Sequence, residues 1–357
     1  MADQYMLDPH SQAILEEYRK ERPVFEKMQG TIPAQVRALL DETGIVVASI
    51  ESRIKEEGSL AGKLALKGAK YESLADITDI FGMRIITFYT DDVDKVASAV
   101  DRLFEIDWDN SVDKRKLLEV DSFGYLSLHY VCRTSAFPYR FEVQMRTILQ
   151  HAWANMNHDT GYKSGVEVPK EYLRNMNRLA GMLELIDEQF SRIRTDINDY
   201  RRKVQSLVAS GHLEEVPLDG DSYRSYLKLA PFDKLNRRIA SVNQAEIQEV
   251  TLMPYLAVLK ALGFRTLGDV DHLIRDYSEA AYQIACYQIS VTDLDILSSS
   301  LGPQNLCIAY LLKQGSGRAG IRLMLDTLNG PSESNDMMAE YIMEQAKDLS
   351  FMHTKPR

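Results

Sequence analysis

The stretch Asp76-Ile77-Thr78-Asp79-Ile80-Phe81-Gly82-Met83-Arg84-Ile85-Ile86 runs an acidic turn straight into an apolar segment, and no other part of the chain limits the fold as strongly. Residues Met83 to Tyr89 are rich in β-branched and aromatic side chains, and Thr90-Asp91-Asp92 closes the run. This predicts a buried strand with Asp79 held just before its start. An acid at a strand mouth is well placed for a metal, although an Asp in this position commonly serves only the turn.

Two further strands add polar groups. Residues two apart on a strand share a face. Over about Tyr125 to Thr134, Tyr125, Ser127 and His129 therefore point one way, and Leu126, Leu128 and Tyr130 the other. Over Tyr139 to Met145, Glu142 and Gln144, with Arg146 just beyond, share a face opposite Phe141, Val143 and Met145, which are expected in the core. Two carboxylates, Asp79 and Glu142, can thus meet from separate strands beside basic groups. One or two hard carboxylates completed by substrate phosphates are what Mg²⁺ prefers. Upstream, Arg53, Lys55, Ser59 and Lys63 offer four donors at spacings of two and four, which can converge on one polyphosphate.

Four segments lie in order: Ser52-Arg53-Ile54-Lys55-Glu56-Glu57-Gly58-Ser59-Leu60-Ala61-Gly62-Lys63, the Asp79 segment, Phe123-Gly124-Tyr125-Leu126-Ser127-Leu128-His129, and Phe141-Glu142-Val143-Gln144-Met145-Arg146-Thr147. Together they resemble the synthetase domain of the RelA/SpoT family, the enzymes that make the alarmones ppGpp and pppGpp. The resemblance covers roughly residues 45 to 205 and is closest to the small, single-function synthetases.

It implies a transferase, a GTP pyrophosphokinase that moves the β,γ-pyrophosphate of ATP onto the 3′-hydroxyl of GTP or GDP. Asp79 and Glu142 would be catalytic and hold Mg²⁺. Arg53 and Arg84 would lie against adenine, while Lys55, Ser59 and Lys63 reach the ATP phosphates. Lys114, Arg115 and Lys116 would grip the acceptor's 5′ phosphates, Tyr125 would stack on its base, and His129 would contact it; Gln144 and Arg146 belong to the same acceptor set. The pair His158-Asp159 does not make a hydrolase, because that activity needs a separate domain with further His and Asp ligands. Asn155 and Asn157 depart from the acidic residues that close relatives carry there. Two other readings stay open: a toxic branch that pyrophosphorylates adenosine nucleotides or the tRNA 3′ end, and a catalytically inactive nucleotide-binding sensor.

Composition fits this reading. The chain has 357 residues, 45% hydrophobic and 26% charged, as in a soluble globular protein of one large or two ordinary domains. The sequence shows no signal-peptide core and no apolar run of about 18 residues, so no membrane association and a cytoplasmic location are expected. Cys132, Cys286 and Cys307 have no C-x-x-C spacing, which argues against disulfides and structural zinc. A net charge of -10 argues against a general nucleic-acid binder, yet Arg53 to Lys163 holds 15 Lys and Arg against 17 Asp and Glu. Only -2 of the total falls there, so this part repels a triphosphate least.

The expected fold is α/β, a mixed sheet flanked by helices and similar to nucleotidyltransferase palms, followed by an all-helical C-terminal domain. Residues 1–44 form an N-terminal helical segment with Ile14, Tyr18, Val24, Phe25 and Met28 on one stripe, and a second helix is expected from about Pro33 through Ile54. A helix from Asp91 to Phe104 faces the core, and another runs from Thr147 to about Tyr162. Apolar residues from Met176 to Val204 keep a three-four spacing, which predicts one long helix packed on the synthetase domain or on a second subunit as a homo-oligomer through residues 173–204. Residues 206–222 read as a linker, and residues 223–357 as a helical domain for cis-regulation or a protein partner. In that domain Gly263 ends a helix, Thr266-Leu267-Gly268-Asp269 opens the next, Thr292 caps another, and Gly315-Ser316-Gly317-Arg318 is a connector.

Overall fold

The computed structural model describes residues 7–117, 127–161, 170–290 and 294–353. By their contacts the residues form two units, Met1–Thr195 and Asp196–Arg357.

The first unit is built on a mixed sheet. In chain order it comprises α1 (Pro9–Thr43), β1 (Ser49–Ile54), α2 (Glu57–Lys67), β2 (Phe81–Thr87), α3 (Thr90–Leu103), β3 (Glu105–Ile106), β4 (Val112–Asp113), β5 (Leu128–Thr134), β6 (Phe137–Thr147), α4 (Ile148–Gly161) and the start of α5 (Lys170–Ala209). The strand order is β1-β2-β6-β5-β3, with β4 also on β5. The central pair β2 and β6 is parallel, and β1, β3, β4 and β5 join antiparallel. Alternation fixes the core: Phe81, Met83 and Ile85 of β2 and Phe141, Val143 and Met145 of β6 are each fully buried. The ring of Phe141 contacts Phe81 at 5.8 Å and Phe104 edge-on at 5.1 Å between centroids.

Two expectations for the N-terminal region are corrected. A single helix, α1, takes the place of two, with Pro23 and Pro33 inside it. Each proline removes one backbone bond, but the buried stripe Ile14, Tyr18, Phe25, Met28, Ile32, Val36 and Leu40 continues past both and holds the helix to the sheet. The helix stops at Gly44, whose φ of 67° and N–H bonds to the Leu40 and Asp41 carbonyls make a left-handed cap. Residues Ser49–Ile54, expected as helix, are strand β1, where pairing with β2 overrides local helical periodicity.

The linker expected at 206–222 is also corrected. The division falls between Thr195 and Asp196, inside α5, and the polar stretch beyond is anchored in the second unit. Val208, Val216 and Leu218 are buried, and Asp219 caps α6 (Gly220–Leu227) by accepting from the N–H groups of Asp221 and Ser222. The second unit continues with α7 (Asp233–Ala240), β7 (Glu246–Gln248), α8 (Tyr255–Ala261), α9 (Leu267–Ser290), β8 (Ile296–Ser298), α10 (Leu301–Lys313), α11 (Gly317–Asn329) and α12 (Glu333–Ala346). It is helical as expected, with one addition, a three-residue parallel pairing of β7 and β8.

Gly263 has φ 91° just after α8, and the Thr266 and Asp269 side chains exchange backbone bonds of 3.1 and 2.9 Å at the start of α9. Residues 314–316 connect α10 to α11, and Gly317 and Arg318 of the expected connector instead open α11. Thr292 lies outside the described residues. No helix of the described residues is long and apolar enough to cross a membrane.

Because Phe141 fills the junction of β2, β6 and α3 at full burial, Phe141→Ala is expected to cost about 3–5 kcal/mol. Urea unfolding should show this as a fall in the first unit's midpoint. A loss under about 1 kcal/mol would mean that the surrounding core collapses around the gap.

Candidate active site

The face of the sheet opposite the core carries the polar residues, and strand register sets them in rows. Glu51 of β1 pairs with Arg84 of β2, Arg84 with Gln144 of β6, and Gln144 with His129 of β5. One step along, Arg53 pairs with Gly82 and Gly82 with Glu142. Gly82 puts no side chain between Arg53 and Glu142, and the two rows line an open cleft whose wall includes Asp79.

Asp79 is fixed by its own turn. Ile77 and Ile80 are buried on either side, and the Ile80 carbonyl accepts from the Lys55 N–H at 2.7 Å, so the backbone sets Lys55 beside the acid. Lys55 Nζ lies 2.9 Å from Asp79 Oδ2, and Lys63 Nζ, reaching over from α2, lies 2.8 Å from Oδ1. Each carboxylate oxygen thus has an ammonium partner. Desolvation pushes the Asp79 carboxyl up, but the bonds and charges of Lys63 and Lys55 outweigh it and leave its pKa below the ordinary value.

Glu142 is held differently. Its Oε1 accepts from His129 Nδ1 at 2.8 Å and its Oε2 from Gln144 Nε2 at 2.9 Å. The carboxylate can only accept, so His129 donates to it from Nδ1, while its Nε2 lies 2.7 Å from the Ser127 hydroxyl. Burial raises the Glu142 pKa and the His129 bond lowers it, with a net fall. Gln144 Oε1 in turn accepts from Arg146 Nη2 at 3.0 Å and Arg84 Nε at 3.4 Å. Arg146 is almost fully buried, and desolvation followed by repulsion from Arg84 brings its pKa down to about 10.

The expected residues are therefore not all gathered equally. Arg53, Asp79, Arg84, Glu142 and Gln144 line the cleft, Lys55 and Lys63 bond Asp79, and His129 and Arg146 bond the Glu142–Gln144 pair. Ser59 is exposed in the first turn of α2. Lys114 and Arg115 follow β4, which pairs beside His129, but Arg115 is tied to Asp113 at 2.9 Å and Asp94 at 2.8 Å. Tyr125 lies outside the described residues, as do the side chains of Lys116, His158 and Asp159. Asn155 is exposed and bonds His151 at 2.9 Å, and Asn157 is exposed.

Sequence reasoning missed two residues. Glu51 stands 3.9 Å from Arg84, in a segment read as helix. His151 Nδ1 is buried without a hydrogen-bond partner among the described residues, and desolvation with the charge of Arg146 lowers its pKa. Its place four residues past Thr147 on a helix read correctly was the available signal.

Residues 52–167 match the family model described as the region found in RelA / SpoT proteins. Over those residues the chain carries the region found in RelA / SpoT proteins. The GTP pyrophosphokinase YwaC of Bacillus subtilis (strain 168) is 23% identical over 206 residues, 52% of this chain and 94% of the relative. GTP pyrophosphokinase YjbM of the same organism is 26% identical over 160 residues, 42% of this chain and 73% of the relative. Among solved structures, small alarmone synthetase 1 from Bacillus subtilis aligns over 52% of this chain and 99% of its own, at 20% identity and a TM-score of 0.45. The RelA/SpoT match covers both carboxylates and every basic residue that bonds or flanks them.

The donor set of this domain fits a divalent cation. Each oxygen of Asp79 and Glu142 accepts one bond and so keeps acceptor capacity, and two carboxylates completed by phosphate oxygens suit Mg²⁺. Among the described residues no group of three or more His, Cys, Asp or Glu could hold a metal by itself. Substrate oxygens would have to complete the shell.

The lowered carboxyl pKa values have a definite pH signature. Stability from Asp79 and Glu142 is complete above the ordinary carboxylate range and is lost as pH falls through their depressed folded values. Lys63→Met removes one cation from Asp79, so its folded-state carboxyl should titrate higher and the acid loss of stability should be smaller and complete at a higher pH. Urea midpoints measured against pH test this, and an unchanged acid limb would show that the pair contributes nothing.

Proposed function

We propose that the first unit transfers the β,γ-pyrophosphate of ATP to the 3′-hydroxyl of GTP or GDP, releasing AMP. The observation that carries this reading is that Asp79 and Glu142, from separate segments, line one cleft framed by Arg53, Arg84, Lys55 and Lys63. Positive groups of this number beside two acids suit a triphosphate, whose transfer needs positioning and charge stabilisation more than covalent chemistry. The relatives named as GTP pyrophosphokinases support the same direction.

In this reading Arg53 and Arg84 are planar cations that flank adenine. Lys55 and Lys63 leave Asp79 for the phosphates as ATP enters. Asp79 and Glu142 would hold Mg²⁺, which when bound orients the triphosphate and neutralises its charge. Glu142 stays ionised at neutral pH and accepts the proton of the acceptor 3′-hydroxyl on a carboxylate oxygen. His129 and Gln144 fix the orientation of that carboxylate. The 3′ oxygen bonds the β-phosphorus as the bond from that phosphorus to the α,β-bridging oxygen breaks. Arg146, bonded to Gln144, stands with the acceptor set, and Lys114 and Lys116 join it near the 5′ phosphates. The second unit would then serve as a regulator in cis or as a partner-binding module.

Incubation with γ-labelled ATP and GTP, GDP, ATP or tRNA in turn, followed by separation of labelled products, tests the reaction. Label in a 3′-pyrophosphorylated guanosine nucleotide is expected. Label at the tRNA 3′ end without GTP turnover would replace the reading with the toxic branch, and no labelled product with any acceptor would favour a sensor. Asp79→Asn and Glu142→Gln should each lower turnover more than tenfold while the melting temperature falls only by what the lost charge contributes, because neither side chain belongs to the core and no cavity opens. More than a tenth of the activity in both variants would sink the metal-pair assignment.

A further inference from the structure

Of the three acids that line the cleft, Asp79 and Glu142 have both carboxylate oxygens bonded, while Glu51 makes no hydrogen bond among the described residues. Its nearest cation, Arg84 Nη1, stands 3.9 Å from Oε2, beyond hydrogen-bond reach, and 47% of the Glu51 side chain is exposed. A carboxylate only accepts, so the group it lacks is an N–H or O–H.

Its place along β1 says which part of a nucleotide supplies that group. Glu51, Arg53 and Lys55 follow one another at intervals of two residues, about 7 Å apart along the strand direction. Lys55 and Lys63 bond Asp79 and mark the phosphate end of the cleft. Arg53 pairs with Gly82 and lies diagonal to Arg84, whose guanidinium it repels. A Cβ at Gly82 would meet nothing within 4 Å, so the floor between the two guanidinium groups is open. Glu51 pairs directly with Arg84, on the side away from the lysines. A purine lying between the guanidinium groups, with its triphosphate towards the lysines, turns N9 to the phosphate end and its six-membered ring to Glu51. The 6-substituent on that far edge is an amino group in adenine and a carbonyl oxygen in guanine, and only the amino group donates. Planar guanidinium groups stack on either base and leave this choice unmade. On the reading proposed above, in which this cleft takes ATP, we infer that Glu51 accepts a hydrogen bond from the adenine N6 amino group and so selects the base of the pyrophosphate donor.

Purine riboside triphosphate, which carries hydrogen where ATP has the 6-amino group, isolates this bond. With the full chain and GDP as acceptor, kcat/KM should be about tenfold lower for the analogue than for ATP, the low end for a bond to a charged acceptor because the carboxylate is half exposed. Glu51→Ala should bring the two donors within about twofold of each other, chiefly by weakening ATP. Glu51→Gln, whose amide oxygen still accepts, should keep most of the difference. Equal use of both donors by the wild type overturns the inference, as does a difference that Glu51→Ala leaves intact. An equal loss for both donors in Glu51→Ala and Glu51→Gln also overturns it and makes Glu51 a counter-charge for Arg84 alone. Transfer from γ-labelled GTP as efficient as that from ATP would do the same, because guanine can turn its N1–H and N2–H to a carboxylate. Calorimetric titration of ATP and of the analogue, without acceptor, should give the same ratio in Kd. If no labelled product forms with any acceptor, the proposed reaction fails, while a Kd ratio that Glu51→Ala removes still upholds the base selection. No heat from ATP defeats both.

Discussion

Parallel pairing of β2 with β6 is the constraint on which the first unit depends. It sets Gly82 beside Glu142 and Arg84 beside Gln144, and the same register buries Met83 against Val143 and Ile85 against Met145. A slip of one residue would exchange the faces, putting Glu142 and Arg84 into the core and the aliphatic side chains into solvent. Core and cleft are thus two sides of one register, and a hydrophobic preference enforces the placement of the chemical groups.

Charge balance in the cleft follows from that geometry. Glu142 and Arg146 belong to one chain of bonds through Gln144, and Asp79 sits between two ammonium groups, so each acid is stabilised in its ionised form although burial opposes it. Arg146 shows the opposite strain, since burial and neighbouring guanidinium groups hold its pKa near 10. The site therefore holds an excess of positive groups around acids that are already partnered.

Helix α5 runs from the first unit into the second. Its polar contacts to Thr90, Asp92 and Thr147 anchor its first part to the RelA/SpoT domain, while Val204 and Val208 enter the core of the second unit. An apolar heptad would normally be used against the nearest core. Here the nearer surface takes the hydrogen-bonding side, because Asp92 in the first turn of α3 and Thr147 at the end of β6 offer buried partners that an aliphatic side chain would leave unsatisfied.

The sequence alone determined the sheet, the core faces of its central strands and the two carboxylates, because alternation along Phe141 to Arg146 and the acidic turn at Asp79 are local patterns with one buried solution. It determined the caps at Gly263 and Thr266 for the same reason. Tertiary structure decided what depends on partners distant in the chain. Ser49–Ile54 is a strand only because β2 offers an edge, and one helix crosses Pro23 and Pro33 only because a single buried stripe spans both. The 206–222 stretch is ordered because Val216 and Leu218 find a core, and Arg115 is bound because Asp94 stands on a neighbouring helix. Local periodicity reports which side chains share a face, but only packing reports what that face meets.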